Sequence, residues 1–229
     1  MDVEPVDGVI FDLHSTLLDG GDAHSWLAAA WAQLLRAGSP GEACGLGDTR
    51  AAELVAYLDR IWENTRDVDP GNRRDLDPAT HRRVWEKSMA HFGLDDPDLA
   101  DALYDTLIWQ WTPYEDTLPL LRALRERGIR VVVLSNMGID VDDLLERRGI
   151  AAEVDGVVLS YRIGGVKPHP AIFEKALELL AVPPERALMV GDTWQDDGGA
   201  ASLGIRTLIL PRTRGPIHGL GLVLRTIAR

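Results

Sequence analysis

Residues 8–20 read GVIFDLHSTLLDG, and the first half of this stretch decides how the chain folds. Val9, Ile10 and Phe11 are apolar without the alternation of a half-exposed strand, which is typical of a strand buried on both faces of a parallel sheet. The run leads directly into Asp12, and His14 follows two positions later. Because a carboxylate is costly to hold at the end of a buried strand, Asp12 is a candidate for function.

Four later apolar runs have the same character. They lie at 129–134 (IRVVVL), 154–159 (VDGVVL), 187–190 (ALMV) and 207–210 (TLIL). Segments with helical periodicity alternate with them, at 116–127, 139–148 and 170–181. Strands that alternate with helices at this spacing predict an α/β fold, a Rossmann-like doubly wound parallel sheet.

The segment after the first strand interrupts this alternation. It contains no strand signal and is far longer than an ordinary loop. Amphipathic helices are predicted there at 22–36, 49–64, 78–92 and 98–109. We therefore expect a helical cap at 20–112, inserted into an α/β core formed by 1–19 and 113–229. Five of the seven tryptophans fall in this segment, and packing inside a small helical bundle is their ordinary role: Trp26, Trp31, Trp62, Trp85 and Trp109.

Composition excludes several classes of partner. The formal net charge of −12 disfavours nucleic acid, which requires a basic surface. Cys44 is the single cysteine, so neither a disulfide within the chain nor a cysteine-rich zinc site is possible. The acidic start MDVEPVDG does not resemble a signal peptide, and no apolar run approaches the ~20 residues that span a bilayer. We expect a cytoplasmic protein without a membrane partner.

Polar and charged residues follow the apolar runs. They are Ser135, Asn136, Lys167, Asp192, Asp196 and Asp197. Each has an ordinary explanation as a cap, a loop residue or a surface charge. In a doubly wound sheet, however, all of them come to the carboxyl edge, where ligands bind. Several acids at one edge repel each other unless a cation is present, and hard oxygen ligands suit Mg²⁺. Ser135 and Lys167 would then hold an anion.

These residues, in the segments VVVLSNMG, GGVKPHPAIF and ALMVGDTWQDDGGAASLG, resemble the motifs of the haloacid dehalogenase superfamily, in its branch with helical caps. The resemblance implies that Asp12 is a nucleophile that forms an aspartyl-phosphate. Ser135 and the backbone amide of Asn136 would bind the phosphoryl oxygens, and Lys167 would neutralise charge. Closure of the cap would exclude water from the site.

The resemblance also implies a Mg²⁺ cofactor. Its ligands would be Asp12, the backbone carbonyl of His14, Asp192 and a second acid four or five positions later. That acid is Asp196 or Asp197, and counting back from GAASLG favours Asp196.

His14 departs from the family pattern, in which phosphatases carry a second Asp as general acid and base. The imidazole could take over that role, since its reference pKa lies near 6.5. It could instead only orient the site, or mark a chain that binds phosphate without turnover. A 2-haloacid dehalogenase is a further alternative, whereas a phosphonate hydrolase would need a cap lysine, for which only Lys87 is available.

We predict a Mg²⁺-dependent phosphohydrolase that acts on a small phosphorylated metabolite. A second anionic group on the substrate could meet cap arginines, although solvated surface charge is their more ordinary role: Arg66, Arg73, Arg74, Arg82 and Arg83.

Overall fold

The computed structural model describes residues 4–38, 46–213 and 215–227, so Cys44 lies outside the described residues. The chain divides into two compact units. The first consists of Met1–Asp19 and Thr112–Arg229, and the second is Gly20–Trp111.

Seven strands lie in the first unit. They are β1 (Gly8–Phe11), β2 (Leu18–Asp19), β3 (Thr112–Pro113), β4 (Arg130–Ser135), β5 (Gly156–Leu159), β6 (Ala187–Gly191) and β7 (Arg206–Ile209). Five of them form a parallel sheet in the order β5-β4-β1-β6-β7. The chain builds outward from β1 first on one side and then on the other, which is double winding. The predicted α/β fold class is therefore confirmed.

The helices follow in chain order. They are α1 (Ala23–Arg36), α2 (Asp48–Leu58), α3 (Ile61–Asn64), α4 (Pro78–Phe92), α5 (Pro97–Thr106), α6 (Thr117–Glu126), α7 (Asp142–Arg147), α8 (Ser160–Ile163), α9 (Pro170–Leu180), α10 (Trp194–Asp197) and α11 (Gly221–Ile227). The helix α9 packs its apolar face, including Phe173 and Leu180, on Ile10 and Val132 of the sheet. Because both faces of the sheet are covered, its strands are apolar without alternation.

The second unit is helical and contains α1–α5. Trp26 and Trp85 are buried in it, 5.8 Å apart between ring centroids, and their indole N–H groups donate to the carbonyls of Leu103 and Ala100. Core packing is thus the role of these two tryptophans. Trp109, by contrast, is exposed.

Two local features differ from the sequence-based prediction. The helix expected at 49–64 is broken between α2 and α3, where Arg60 leaves the helical conformation. The short strands β2 and β3 pair antiparallel, with Leu18 opposite Pro113 and Asp19 opposite Thr112. A two-residue strand has too little periodicity for a sequence pattern to reveal it.

Candidate functional site

The site is built at the carboxyl edge of the three central strands. Asp12 follows β1, Ser135 ends β4 and Asp192 follows β6, and the parallel register places these positions side by side. The backbone N–H of Asp12 donates to the carbonyl of Val190 at 2.9 Å, which continues the β1–β6 ladder to the acid itself. Strand order reverses at β1, so the three residues stand at the topological switch point, where ligands of such sheets bind.

A buried ammonium joins two of the acids. Lys167 Nζ lies 2.7 Å from Asp12 Oδ1 and 2.6 Å from Asp197 Oδ1, and all three side chains are buried. The second oxygen of Asp12 accepts a hydrogen bond from Thr16 Oγ1 at 3.1 Å. Both oxygens of the candidate nucleophile are therefore held in fixed positions. Sequence reasoning missed Thr16, although its place four residues after Asp12 was visible.

Asn136 fixes the lysine through its side chain. Its Oδ1 accepts from the backbone N–H of Lys167 at 2.7 Å, and its Nδ2 donates to the Lys167 carbonyl at 3.1 Å. This two-point bond ties the loop that carries Lys167 to the end of β4. Asn136 was predicted to act through its backbone amide, and its side chain thus has a separate, positioning role. Ser135 is buried directly before it.

The helix register corrects one predicted residue. Asp197, rather than Asp196, lies against Lys167, and Asp196 is half-buried one position earlier. The first turn of α10 explains this, because Asp197 N–H donates to the Thr193 carbonyl and Asp197 Oδ2 accepts from Thr193 N–H at 3.0 Å. Gly191 leaves the necessary space, since a Cβ there would lie 2.0 Å from Asp197 Oδ2.

The charges of this cluster act on each other strongly. Burial raises the pKa of Asp12; Lys167 opposes this, while the nearby carboxylates of Asp197 and Asp192 reinforce it. Burial alone would lower the pKa of Lys167, but the two facing carboxylates outweigh it and raise that pKa. The lysine therefore stays charged, and the acids gain from any further cation brought to this edge.

His14 stands at the rim of the same cluster. Its Nδ1 lies 3.2 Å from Ser15 Oγ. Desolvation and then the charge of Arg212 lower the pKa of His14 to about 4, while Asp192 opposes them. The imidazole is thus neutral at neutral pH in the absence of a substrate. An anionic phosphate beside it would raise this pKa and favour protonation.

Asp192 is bonded through both of its oxygens. Arg212 Nε donates to Oδ2 at 2.6 Å, and Thr193 Oγ1 donates to Oδ1 at 2.9 Å. Sequence reasoning missed Arg212, which comes two residues after the last strand run, in PRTR. An arginine so close to a strand end was the available signal.

Two nearby carboxylates and the backbone carbonyl of His14 are the donors present for a metal ion. Hard oxygen donors of this kind suit Mg²⁺. The mutual effect of Asp12 and Asp192 on the Asp12 pKa shows that a divalent cation would relieve repulsion there. Asp197 already uses both oxygens for Lys167 and Thr193, and Asp196 lies one position away from that place, so neither belongs to the donor set. Among the residues described, no group of three or more His, Cys, Asp or Glu side chains could hold a metal ion.

The cap arginines lie in the second unit and divide into two groups. Arg74 and Arg82 pair with acids of that unit: Arg74 with Asp69 and Asp75, Arg82 with Glu86 and Asp101.

The other three cap arginines, Arg66, Arg73 and Arg83, are exposed. Lys87 is exposed on α4, which gives no support to a buried Schiff-base lysine. Within the ranges described, none of the helices has the length and apolar character needed to cross a membrane.

Comparison with known proteins identifies the family. The sequence model of the haloacid dehalogenase-like hydrolases matches residues 6–204. The chain belongs to this family. It is therefore a hydrolase, and the resemblance found in the motifs is confirmed.

Similar sequences in this family carry different names. The glyceraldehyde 3-phosphate phosphatase of Methanopyrus kandleri is 35% identical over 141 residues, which cover 58% of this chain and 60% of that protein. Haloacid dehalogenase-like hydrolase domain-containing protein 3 of Bos taurus is 35% identical over 101 residues, which cover 44% of this chain and 40% of that protein. The chain thus spans about half the length of these curated relatives.

Solved structures support the fold over almost the whole chain. The phosphatase of this family from Thermococcus onnurineus superposes with a TM-score of 0.64 at 23% identity, covering 97% of this chain and 98% of that chain. A 2-haloacid dehalogenase from Pseudomonas syringae pv. Tomato DC3000 has the same TM-score at 27% identity, with 98% and 99% coverage. Both activities therefore occur on this architecture.

Proposed function

We propose that this chain is a Mg²⁺-dependent phosphohydrolase that cleaves a small phosphomonoester through an aspartyl-phosphate on Asp12. The observation that carries the proposal is the buried Lys167 ammonium held between Asp12 and Asp197 at the switch point of the sheet. The phosphatase names of similar sequences support it.

In the first step a carboxylate oxygen of Asp12 attacks phosphorus, and the bond from phosphorus to the ester oxygen breaks. The leaving oxygen takes a proton, for which His14 stands at the rim of the cluster. Ser135 and the amide of Asn136 bind the phosphoryl oxygens, and Lys167 neutralises their charge. Water then cleaves the acyl phosphate, which releases inorganic phosphate and restores Asp12. The substrate is a small phosphorylated metabolite.

Asp12, Asp192 and the carbonyl of His14 would hold Mg²⁺, which supplies charge neutralisation at the phosphoryl group when it is bound. Asp197 acts through Lys167 and is a positioning residue. Asn136 has the same kind of role through its side chain, since it holds the lysine loop.

The test is release of phosphate from p-nitrophenyl phosphate, sugar phosphates and phosphoglycolate, with Mg²⁺ and with EDTA. We expect turnover only with Mg²⁺ and a loss of about a thousandfold or more in Asp12→Asn. Unchanged thermal unfolding of that variant would show that the loss is chemical. Turnover that persists in EDTA, or in Asp12→Asn, would contradict the proposal.

A 2-haloacid dehalogenase is the second candidate. It is favoured by the pairing of Asp192 with Arg212, because the Asp12–Lys167 pair alone could serve displacement of a halide without a metal. Release of halide from a 2-haloacid in EDTA, with no release of phosphate, would decide for it.

The proton role of His14 needs two substrates of different leaving-group strength. An alkoxide depends on protonation and p-nitrophenolate does not, so His14→Ala should slow a sugar phosphate at least about tenfold more than p-nitrophenyl phosphate. Equal losses in kcat on both substrates would leave His14 with an orienting role only.

A further inference from the structure

Arg212 reaches the site because of how β6 and β7 end. Gly191 pairs with Ile209, and the N–H of Leu210 donates to the Gly191 carbonyl at 2.8 Å. Asp192 and Arg212 are therefore the next residues but one to leave two neighbouring strands at the same edge. The loop that follows is fastened further along, where the Asp116 carboxylate accepts the N–H groups of His218, Gly219 and Leu220.

The Arg212–Asp192 pair is asymmetric. The Asp192 side chain is 5% exposed, whereas that of Arg212 is 61% exposed. The acid is thus fixed in the site, while the guanidinium reaches it from solvent and can swing away at little cost. Asp12 differs, because its partner Lys167 is buried and cannot leave.

The two candidate metal carboxylates therefore have different counter-ions. Asp12 keeps its ammonium at all times, and Asp192 has a cation that can be displaced. A divalent ion that takes Oδ2 of Asp192 must first break its 2.6 Å bond to Arg212 Nε. Two ligands that use the same atom exclude each other, so each lowers the apparent affinity of the other.

We propose that Arg212 is a built-in competitor for the divalent cation: it occupies Asp192 when the metal is absent and sets the metal affinity of the site. This inference rests on the metal position in the proposed function. It also gives a reason for an arginine beside acids in a chain with a net charge of −12, since the pair keeps Asp192 in place while the metal is absent.

The experiment is calorimetric titration of Mg²⁺ alone into the full chain without substrate, in the wild type and two variants. Arg212→Gln should tighten Mg²⁺ binding about three- to tenfold, the range that an exposed ion pair and the removal of a nearby positive charge allow. Arg212→Lys, which keeps the charge on a different head group, should bind nearer to the wild type.

Arg122→Gln is the matched control. Arg122 is 60% exposed and bonds through Nε to the 13%-exposed Glu153 at 3.1 Å, so its replacement removes the same charge and a similar pair elsewhere on the first unit. Its Mg²⁺ affinity should equal that of the wild type.

The outcomes separate the two claims. Equal tightening in Arg212→Gln and Arg122→Gln would reduce the effect to net charge and overturn the inference. Unchanged or weaker binding in Arg212→Gln, with the wild type still binding Mg²⁺, would overturn the inference and leave the proposed function standing. An absence of Mg²⁺ binding in every variant would overturn both.

Discussion

Asp196 and Asp197 are adjacent acids in one turn, and the site treats them differently. Successive helical residues point about 100° apart, so only one of the two can face Lys167. The Asp197 carboxylate does so at 2.6 Å and also holds the N–H of Thr193. The difference between the two acids is therefore a difference of direction, not of chemistry.

Replacing each acid by its amide tests this register. Asp197→Asn should lower the free energy of unfolding by about 3 kcal/mol and the rate of turnover at least about a hundredfold, because it removes one partner of a buried charge pair. Asp196→Asn should change both by little. Urea unfolding and kcat/KM for each variant provide the measurement. A larger loss in Asp196→Asn would return the role to that residue.

At the scale of elements, the turn from β6 into α10 depends on a missing side chain. A Cβ on Gly191 would lie 2.0 Å from Asp197 Oδ2 and 2.2 Å from its carboxyl carbon. Both the strand backbone and the buried carboxylate would have to move, and such a movement would carry Lys167 with it. The glycine is thus a requirement of the charged cluster and not only of the turn.

Gly191→Ala should therefore lower the free energy of unfolding by about 2 kcal/mol or more and reduce turnover sharply. Gly198→Ala is the control, because a Cβ at this neighbouring position would meet nothing within 4 Å. Its stability should stay within about 0.5 kcal/mol or rise slightly, since alanine restricts the unfolded chain. Chemical unfolding of the two variants side by side decides the matter, and equal effects would refute the steric argument.

At the scale of the whole molecule, the second unit contains a buried histidine that makes its stability depend on pH. His81 of α4 bonds Tyr104 Oη through Nδ1 at 2.9 Å and faces the ring of Trp62. Burial first, and the charge of Arg74 second, lower the pKa of His81 to about 4. Unfolding lets this imidazole take up a proton at its ordinary pKa near 6.5.

Above pH 6.5 both states are neutral at His81, and no stability is lost through it. As the pH falls from 6.5 towards 4, only the unfolded state binds the proton, so the folded state should lose up to about 3 kcal/mol. His81→Gln should lack this component, whereas His91→Gln, on the exposed part of the same helix, should follow the wild type. Urea unfolding at pH 7 and pH 5 measures the difference, and parallel curves for all three proteins would contradict it.

The apolar runs carried enough information to predict the sheet, because full burial on both faces leaves an unmistakable pattern in short strands. They also placed Asp12, Ser135 and Asp192 at one edge. What the pattern could not give was direction: one residue of register separates Asp196 from Asp197, and helix starts are uncertain by about that much. Arg212 was missed because its importance comes from a neighbouring strand distant in sequence.

The pairing of β2 with β3 brings Asp19 directly opposite Thr112, at the two points where the helical segment leaves and rejoins the sheet-bearing unit. Its two attachment points are thus a single hairpin stem, which a two-residue reverse turn such as Asn-Gly could close. Swapping in another lineage's insert, or omitting it altogether, would alter neither strand order nor the catalytic edge. Substrate preference can consequently diversify by exchange of one cassette, while the chemistry is inherited unchanged.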